Sequence, residues 1–255
     1  MATVTYTVHH FRQSICSIMV RYCVAIRGNP KENSPEITFV EKHVDIIAAK
    51  DQLSEDFLLN VNPKGQVPAL TSPSLPQSII DSVKITHFLV DLFPDLAPAS
   101  HRELILQLID EIHSVNFFSL SFTKRPEIQY GIRDLIKGKM EEDISPRYRQ
   151  ALEYKLGINI SEKINSLESE YVANMVEHTR KVVASFEQHL PAGAAWLFGF
   201  SQPGAADAHL VTLIARLTDV NRGHLVPPRL LAYAEAAYLT PAWESVMEGK
   251  RTMIA

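Results

Sequence analysis

The chain has 255 residues, 46% of them hydrophobic and 21% charged, enough apolar material for the core of one large domain or two ordinary ones. Its formal net charge of −4 gives no electrostatic reason to expect nucleic acid as a partner. No apolar run approaches the ~20 residues that span a bilayer, and the first residues carry no secretory pattern, so the expectation is a cytoplasmic protein with no membrane partner.

Val4, Tyr6 and Val8 alternate, which predicts a strand up to about His10. His9 and His10 are neighbours on that strand and point to opposite faces, so they cannot chelate one ion. With no CxxC and no paired Cys/His spacing, no metal is expected. From Ile15 the period changes: Ile15, Ile18, Met19, Tyr22, Cys23 and Ile26 recur at helical spacing, so a helix opens near Ser14. A hydroxyl at that point has two readings. Ser14 is an ordinary helix cap, or the free N–H groups and the positive end of the helix dipole hold a thiolate or carboxylate beside it. Cys16, two residues further, sits where a helix N-terminus lowers a thiol pKa, whereas Cys23 falls on the apolar stripe and belongs to the core. Seven residues of helix separate the two by roughly 10 Å, beyond disulfide reach, so both are expected reduced.

Turn signals at Gly28-Asn29-Pro30 and Asn33-Ser34-Pro35 precede a second strand over Glu36 to Val44, and the polar stretch from Lys50 to Asn60 reads as a short helix. Two further strands are expected around Asn62-Pro63-Lys64-Gly65-Gln66-Val67-Pro68-Ala69-Leu70 and Gln77-Ser78-Ile79-Ile80-Asp81-Ser82. A helix through Ile85, Phe88, Leu89 and Leu92 follows, closed by Pro94 and Pro98. Beyond about Ala99 the pattern is helical almost throughout. Leu104, Ile105, Leu108, Ile109, Ile112 and Val115 form one stripe, and Val182, Val183, Phe186 and Leu190 another that stops at Pro191 and Gly193. Between them, Lys124 to Ile164 is charged and Pro-punctuated. Gly204-Ala205-Ala206-Asp207 opens a last strongly apolar helix.

These motifs, in this order, resemble the thioredoxin-like domain of cytosolic glutathione transferases, most closely the zeta class, which includes maleylacetoacetate isomerases. The pattern Ser, any residue, Cys, Ser, then Val-Arg matches Ser14, Cys16, Ser17, Val20 and Arg21, although Ile15 replaces a residue that is often polar. Asn-Pro-x-x-Gln-Val-Pro matches Asn62, Pro63, Gln66, Val67 and Pro68, and the acidic-or-Gln plus Ser pair matches Asp81-Ser82. Gly204 to Asp207 is similar to the family's capping motif for a buried helix, with Gly where Ser or Thr is usual, which gives Asp207 a structural capping role.

The resemblance implies an α/β plus all-α fold: a thioredoxin-like domain over 1–95 and an all-helical domain over 100–255, assembled as a homodimer. It implies glutathione as cofactor or cosubstrate. The cysteinyl part would pair with Val67 before a cis Pro68, the γ-glutamyl carboxylate with Ser82 and its ammonium with Asp81, while Gln66, and less so Lys64, supply polar contacts. Ser14 would donate to the glutathione sulfur, with Cys16 as the competing activator. The thiolate then attacks an electrophilic small molecule, for which the inserted segment argues toward a larger acceptor such as a secondary metabolite. Alternatively it adds, allows rotation and is expelled, as in cis-trans isomerisation; a third alternative is a non-catalytic glutathione-binding or regulatory protein. Phe11, Arg12, His113, Phe117, Phe118, Phe122 and Tyr130 are candidates for the second-substrate pocket, against the ordinary reading of helical aromatics as core.

Overall fold

The computed structural model describes residues 3–253. Strand β1 (Thr3–His10) lies at the centre of a sheet of order β2-β1-β3, parallel to β2 (Glu36–His43) from Thr3↔Glu36 to His10↔His43 and antiparallel to β3 (Ala69–Thr71). The alternation holds: Tyr6 and Val8 enter the core. His9 and His10 do point apart, one bonding the Thr71 hydroxyl at 3.0 Å and the other lying 3.2 Å from the Glu41 carboxylate.

Helix α1 (Ile15–Ile26) packs on α2 (Ser82–Leu92), and the apolar stripe of α1 is buried from Ile15 to Cys23, with Ile26 half-buried. Three expectations change. Of the strand expected around Asn62 to Leu70 only Ala69–Thr71 forms, the residues before it being loop. The strand expected over Gln77–Ser82 contracts to a single bridge, Leu70 to Ile79, with Asp81 and Ser82 taken up by the start of α2. The helix expected over Lys50–Asn60 is two short helical turns, Asp51–Leu53 and Phe57–Val61, held less by a polar face than by buried Leu53, Phe57 and Leu58.

After the turn Pro94–Leu96 every described element is helical: α3 (Arg102–His113), α4 (Phe117–Phe122), α5 (Glu127–Glu141), α6 (Pro146–Asn159), α7 (Ser169–Ser185), α8 (Ala205–Asp219), α9 (Pro228–Tyr238) and α10 (Pro241–Met247). Helix α8 is buried from Ala205 to Leu217 and receives α1 and α3 on its sides, so one core runs through both halves. This is the expected thioredoxin-like half followed by an all-helical half. No helix among the described residues is long and apolar enough to cross a membrane.

The inserted segment Lys124–Ile164 forms a hairpin, α5 and α6, that folds back on the first half. Ile136, Tyr148 and Leu152 make a satellite core with Leu53 and Leu58, and the Tyr148 hydroxyl donates to the Leu53 carbonyl at 2.5 Å. The charged face bearing Lys137, Glu141 and Glu142 is solvated.

Candidate functional site

Ser14 is the N-cap of α1: its Oγ accepts from the Ser17 N–H at 3.4 Å. The same hydroxyl donates to the Val67 carbonyl at 3.4 Å, so capping does not take it away from the Asn62–Pro68 loop. Both bonds are long, which leaves the hydroxyl free to turn toward a better acceptor. The loop is stapled by buried Asn62, whose Nδ2 donates to the Gln66 carbonyl at 2.8 Å while its Oδ1 takes the Lys64 N–H at 2.9 Å. Gly65 sits at φ +55, where a Cβ would come within 2.9 Å of the Gln52 carbonyl. The Val67–Pro68 bond is cis.

Asp81 is the N-cap of α2, its Oδ1 accepting from the Val83 and Lys84 N–H groups at 2.9 and 3.2 Å. The cap reading of Asp81 is therefore met, with Oδ2 making no hydrogen bond among the described residues. Ser82 opens α2, 7% exposed, with its hydroxyl near enough to Cys16 to favour the thiolate. Cys16 and Cys23 are both free thiols. Burial pushes the Cys16 thiol above its ordinary pKa, opposed by the Ser82 hydroxyl and by the Lys163 and Arg216 charges. The helix N-terminus does not dominate there.

The expected residues thus fall at two ends of one site. Ser14 meets Val67 at one end, and Cys16 meets Ser82 beside Asp81 at the other. Gln66 is at the loop too, but its amide donates to the Glu162 carboxylate at 2.8 Å, a partner supplied by the inserted segment. The next residue, Lys163, lies over the Phe118 ring with Nζ 5.3 Å from the centroid and acts on Cys16. Lys155 of α6 lays its stem along Gly65, 3.1 Å from where a Cβ would stand. Burial pulls Lys155 down to about 7, with Lys163 adding to the shift.

Arg216 is a further residue that the sequence reading passed over. From α8 it donates to the Gln13 carbonyl and the Thr252 carbonyl, each at 2.6 Å, and so pins the turn before Ser14. Burial lowers its pKa to about 10. A lone Arg within a largely apolar helix is the signal that could have found it.

Asp207 is structural. Its carboxylate accepts from the Leu197 N–H (2.9 Å), the Gly204 N–H (2.8 Å) and the Tyr233 hydroxyl (2.6 Å), and burial pushes its pKa up to about 6. Gly204 replaces the usual Ser or Thr because a Cβ there would stand 2.8 Å from the Leu96 carbonyl. Having no side chain, Gly204 leaves only the Asp207 half of the capping box. Among the pocket candidates, Phe11 and Phe118 are buried, His113 bonds His209 at 3.0 Å, and Tyr130 is 42% exposed on α5. No group of His, Cys, Asp and Glu among the described residues has metal-binding geometry.

Comparison with known proteins finds no matching family profile and no matching curated sequence. Solved structures do match over nearly the whole chain. Glutathione transferase F7 from Populus trichocarpa superposes with a TM-score of 0.63 at 18% identity, covering 96% of this chain and 98% of that one. A glutathione S-transferase from Xylella fastidiosa gives 0.61 at 16%, covering 95% and 97%. Rice GST1, in complex with glutathione, gives 0.55 at 14%, covering 97% and 95%. The fold is that of the glutathione transferases.

Proposed function

We propose that this chain is a glutathione transferase-like enzyme that binds reduced glutathione between the start of α1, the Asn62–Pro68 loop and the start of α2, and presents the thiolate to an electrophilic small molecule. The observation that carries the reading is the Ser14 hydroxyl at a helix N-terminus, 3.4 Å from the Val67 carbonyl that the cysteinyl part would approach. A free thiol of pKa ~8.5 is mostly protonated at neutral pH, and lowering it by about two units is worth roughly 2.7 kcal/mol. A hydroxyl donating to sulfur at the positive end of a helix supplies a large part of that. The thiolate forms a C–S bond and the acceptor expels its leaving group or takes a proton. Ser14 itself stays neutral.

The geometry favours Ser14 over Cys16 as activator. Cys16 meets Ser82, at the end assigned to the γ-glutamyl carboxylate, and burial raises its thiol pKa. Cys16 then forms a wall of the site. Isomerisation is a second reading, favoured by the zeta-like motif at α1. Two residues of that motif have structural employment: Arg21 donates to Glu41 at 2.8 Å and to the Val246 carbonyl at 3.0 Å, and Ser17 Oγ accepts the Phe11 N–H at 3.4 Å. Transfer is therefore placed first. The apolar face of the inserted hairpin is used against Leu53 and Leu58, so it gives no support to an unusually large acceptor.

We place the protein in the cytoplasm as a homodimer, where a reduced setting suits its free thiols. The test incubates the protein with glutathione and candidate electrophiles and follows glutathione consumption and acceptor geometry together. Stoichiometric loss with a new C–S bond identifies transfer. Altered geometry without loss identifies isomerisation, and saturable binding with neither identifies a binding protein. No saturable binding at millimolar glutathione removes the reading.

A further inference from the structure

Lys155 is 6% exposed, and neither it nor Lys163 has a carboxylate within ion-pairing distance among the described residues. Glu162 is the carboxylate that acts on both, and its Oε2 already accepts the Gln66 amide. The remaining charge facing Lys163 is Lys64, another cation, together with the Cys16 thiol. Desolvation disfavours the charge on both ammonium groups and no carboxylate contacts either, so an arriving anion relieves a cost.

Their position is fixed rather than incidental. The Glu162 carbonyl accepts from Asn116 Nδ2 at 3.4 Å, the Glu162 carboxylate is bound to Gln66, Lys163 rests on Phe118, and the Lys155 stem crosses Gly65. Two of these contacts join the inserted segment to the Asn62–Pro68 loop and two join it to the start of α4.

We propose that Lys155 and Lys163 form an anion-binding pair at the rim of the glutathione site, taking a ligand carboxylate that belongs either to glutathione or to an acidic acceptor. The proposal rests on the glutathione reading above and adds a specificity device to it. Binding then has a proton signature, because Lys155 is only half protonated near neutral pH and takes up a proton when a carboxylate arrives.

The test uses S-methylglutathione, which has no thiol to ionise, and its glycine-amide analogue. Each is titrated calorimetrically near pH 7.5 into the full chain, Lys163→Met, Lys155→Met and the charge-retaining Lys163→Arg, in two buffers of different ionisation enthalpy. The Met variants keep the aliphatic stem, and thermal melts check that they are folded. Loss of about tenfold or more in S-methylglutathione affinity in both Met variants, retained in Lys163→Arg, is expected, with proton uptake absent from Lys155→Met. If the amide analogue is indifferent to the substitutions, the glycine carboxylate is the group held; an equal loss with both ligands assigns the γ-glutamyl carboxylate. If neither ligand responds but KM for a chloronitrobenzoate rises about tenfold while that for chlorodinitrobenzene does not, the acceptor carries it. Folded variants unchanged toward all these probes overturn the proposal while leaving the glutathione reading intact. A parent chain that binds no S-methylglutathione or glutathione overturns both.

Discussion

Replacing Ser14 by alanine separates its two employments. As a cap, Ser14 Oγ takes one N–H at 3.4 Å, a long bond, so the loss of α1 stability falls at the low end of the range, about 0.5–1 kcal/mol. As a thiol activator it makes a hydrogen bond to a charged acceptor, worth roughly 1.5–3 kcal/mol, equivalent to about one to two units of thiol pKa. The bound glutathione thiol should therefore titrate about one to two units higher in Ser14→Ala, followed by the ultraviolet absorbance of the thiolate. Glutathione affinity should change little near pH 6, where the thiol is protonated in both proteins. Turnover should fall by about 10- to 100-fold below the thiol pKa, with the deficit shrinking as pH rises past the shifted value. Cys16→Ala is the control: its thiol lies at the Ser82 end and should leave the glutathione pKa near the parent value. An unchanged thiol pKa in Ser14→Ala together with a raised one in Cys16→Ala would refute the assignment and point to a cysteine mechanism, with oxidised glutathione then modifying Cys16.

Ser82→Ala should weaken glutathione by about 1–3 kcal/mol in calorimetry if its hydroxyl holds the ligand carboxylate; a negligible change reduces it to a helix residue. Gly204→Ser, which restores the usual cap residue, should destabilise by about 1–3 kcal/mol in chemical denaturation, since its Cβ would stand 2.8 Å from a backbone carbonyl; stabilisation would contradict that packing. Burial lowers His113 to about 4, so the unfolded chain takes up this proton first as pH falls. Its contribution is full above about 6.5 and is lost between 6.5 and 4, so the drop in stability from pH 7 to 4 should be smaller in His113→Gln by about 3 kcal/mol. Light scattering across a concentration series should give about twice the 28.6 kDa chain mass, and a monomer at every concentration would rule out the dimer.

The sequence by itself determined what depends on neighbours in the chain. The alternation of Val4, Tyr6 and Val8, the switch to helical spacing at Ile15, the cap at Ser14 and the cap at Asp81 all follow from backbone geometry within a few residues, and the structure reproduces each. The same locality misled at Gln77–Ser82, expected as a strand, where the structure keeps one bridge. It also made Lys50–Asn60 look like a polar surface helix, because the partners that bury Leu53 and Leu58 come from Tyr148 and Leu152 in the inserted hairpin. Only the tertiary structure decided that this hairpin folds back on the first half, that Gln66 bonds Glu162, that Lys155 lies along Gly65 and Lys163 over Phe118 without contacting acids, and that Arg216 supports the turn before Ser14. Periodicity states which face of a helix is apolar or charged. It does not state what that face meets, because that is settled by burial and charge pairing between segments distant in sequence, whose free energies no short window of residues contains.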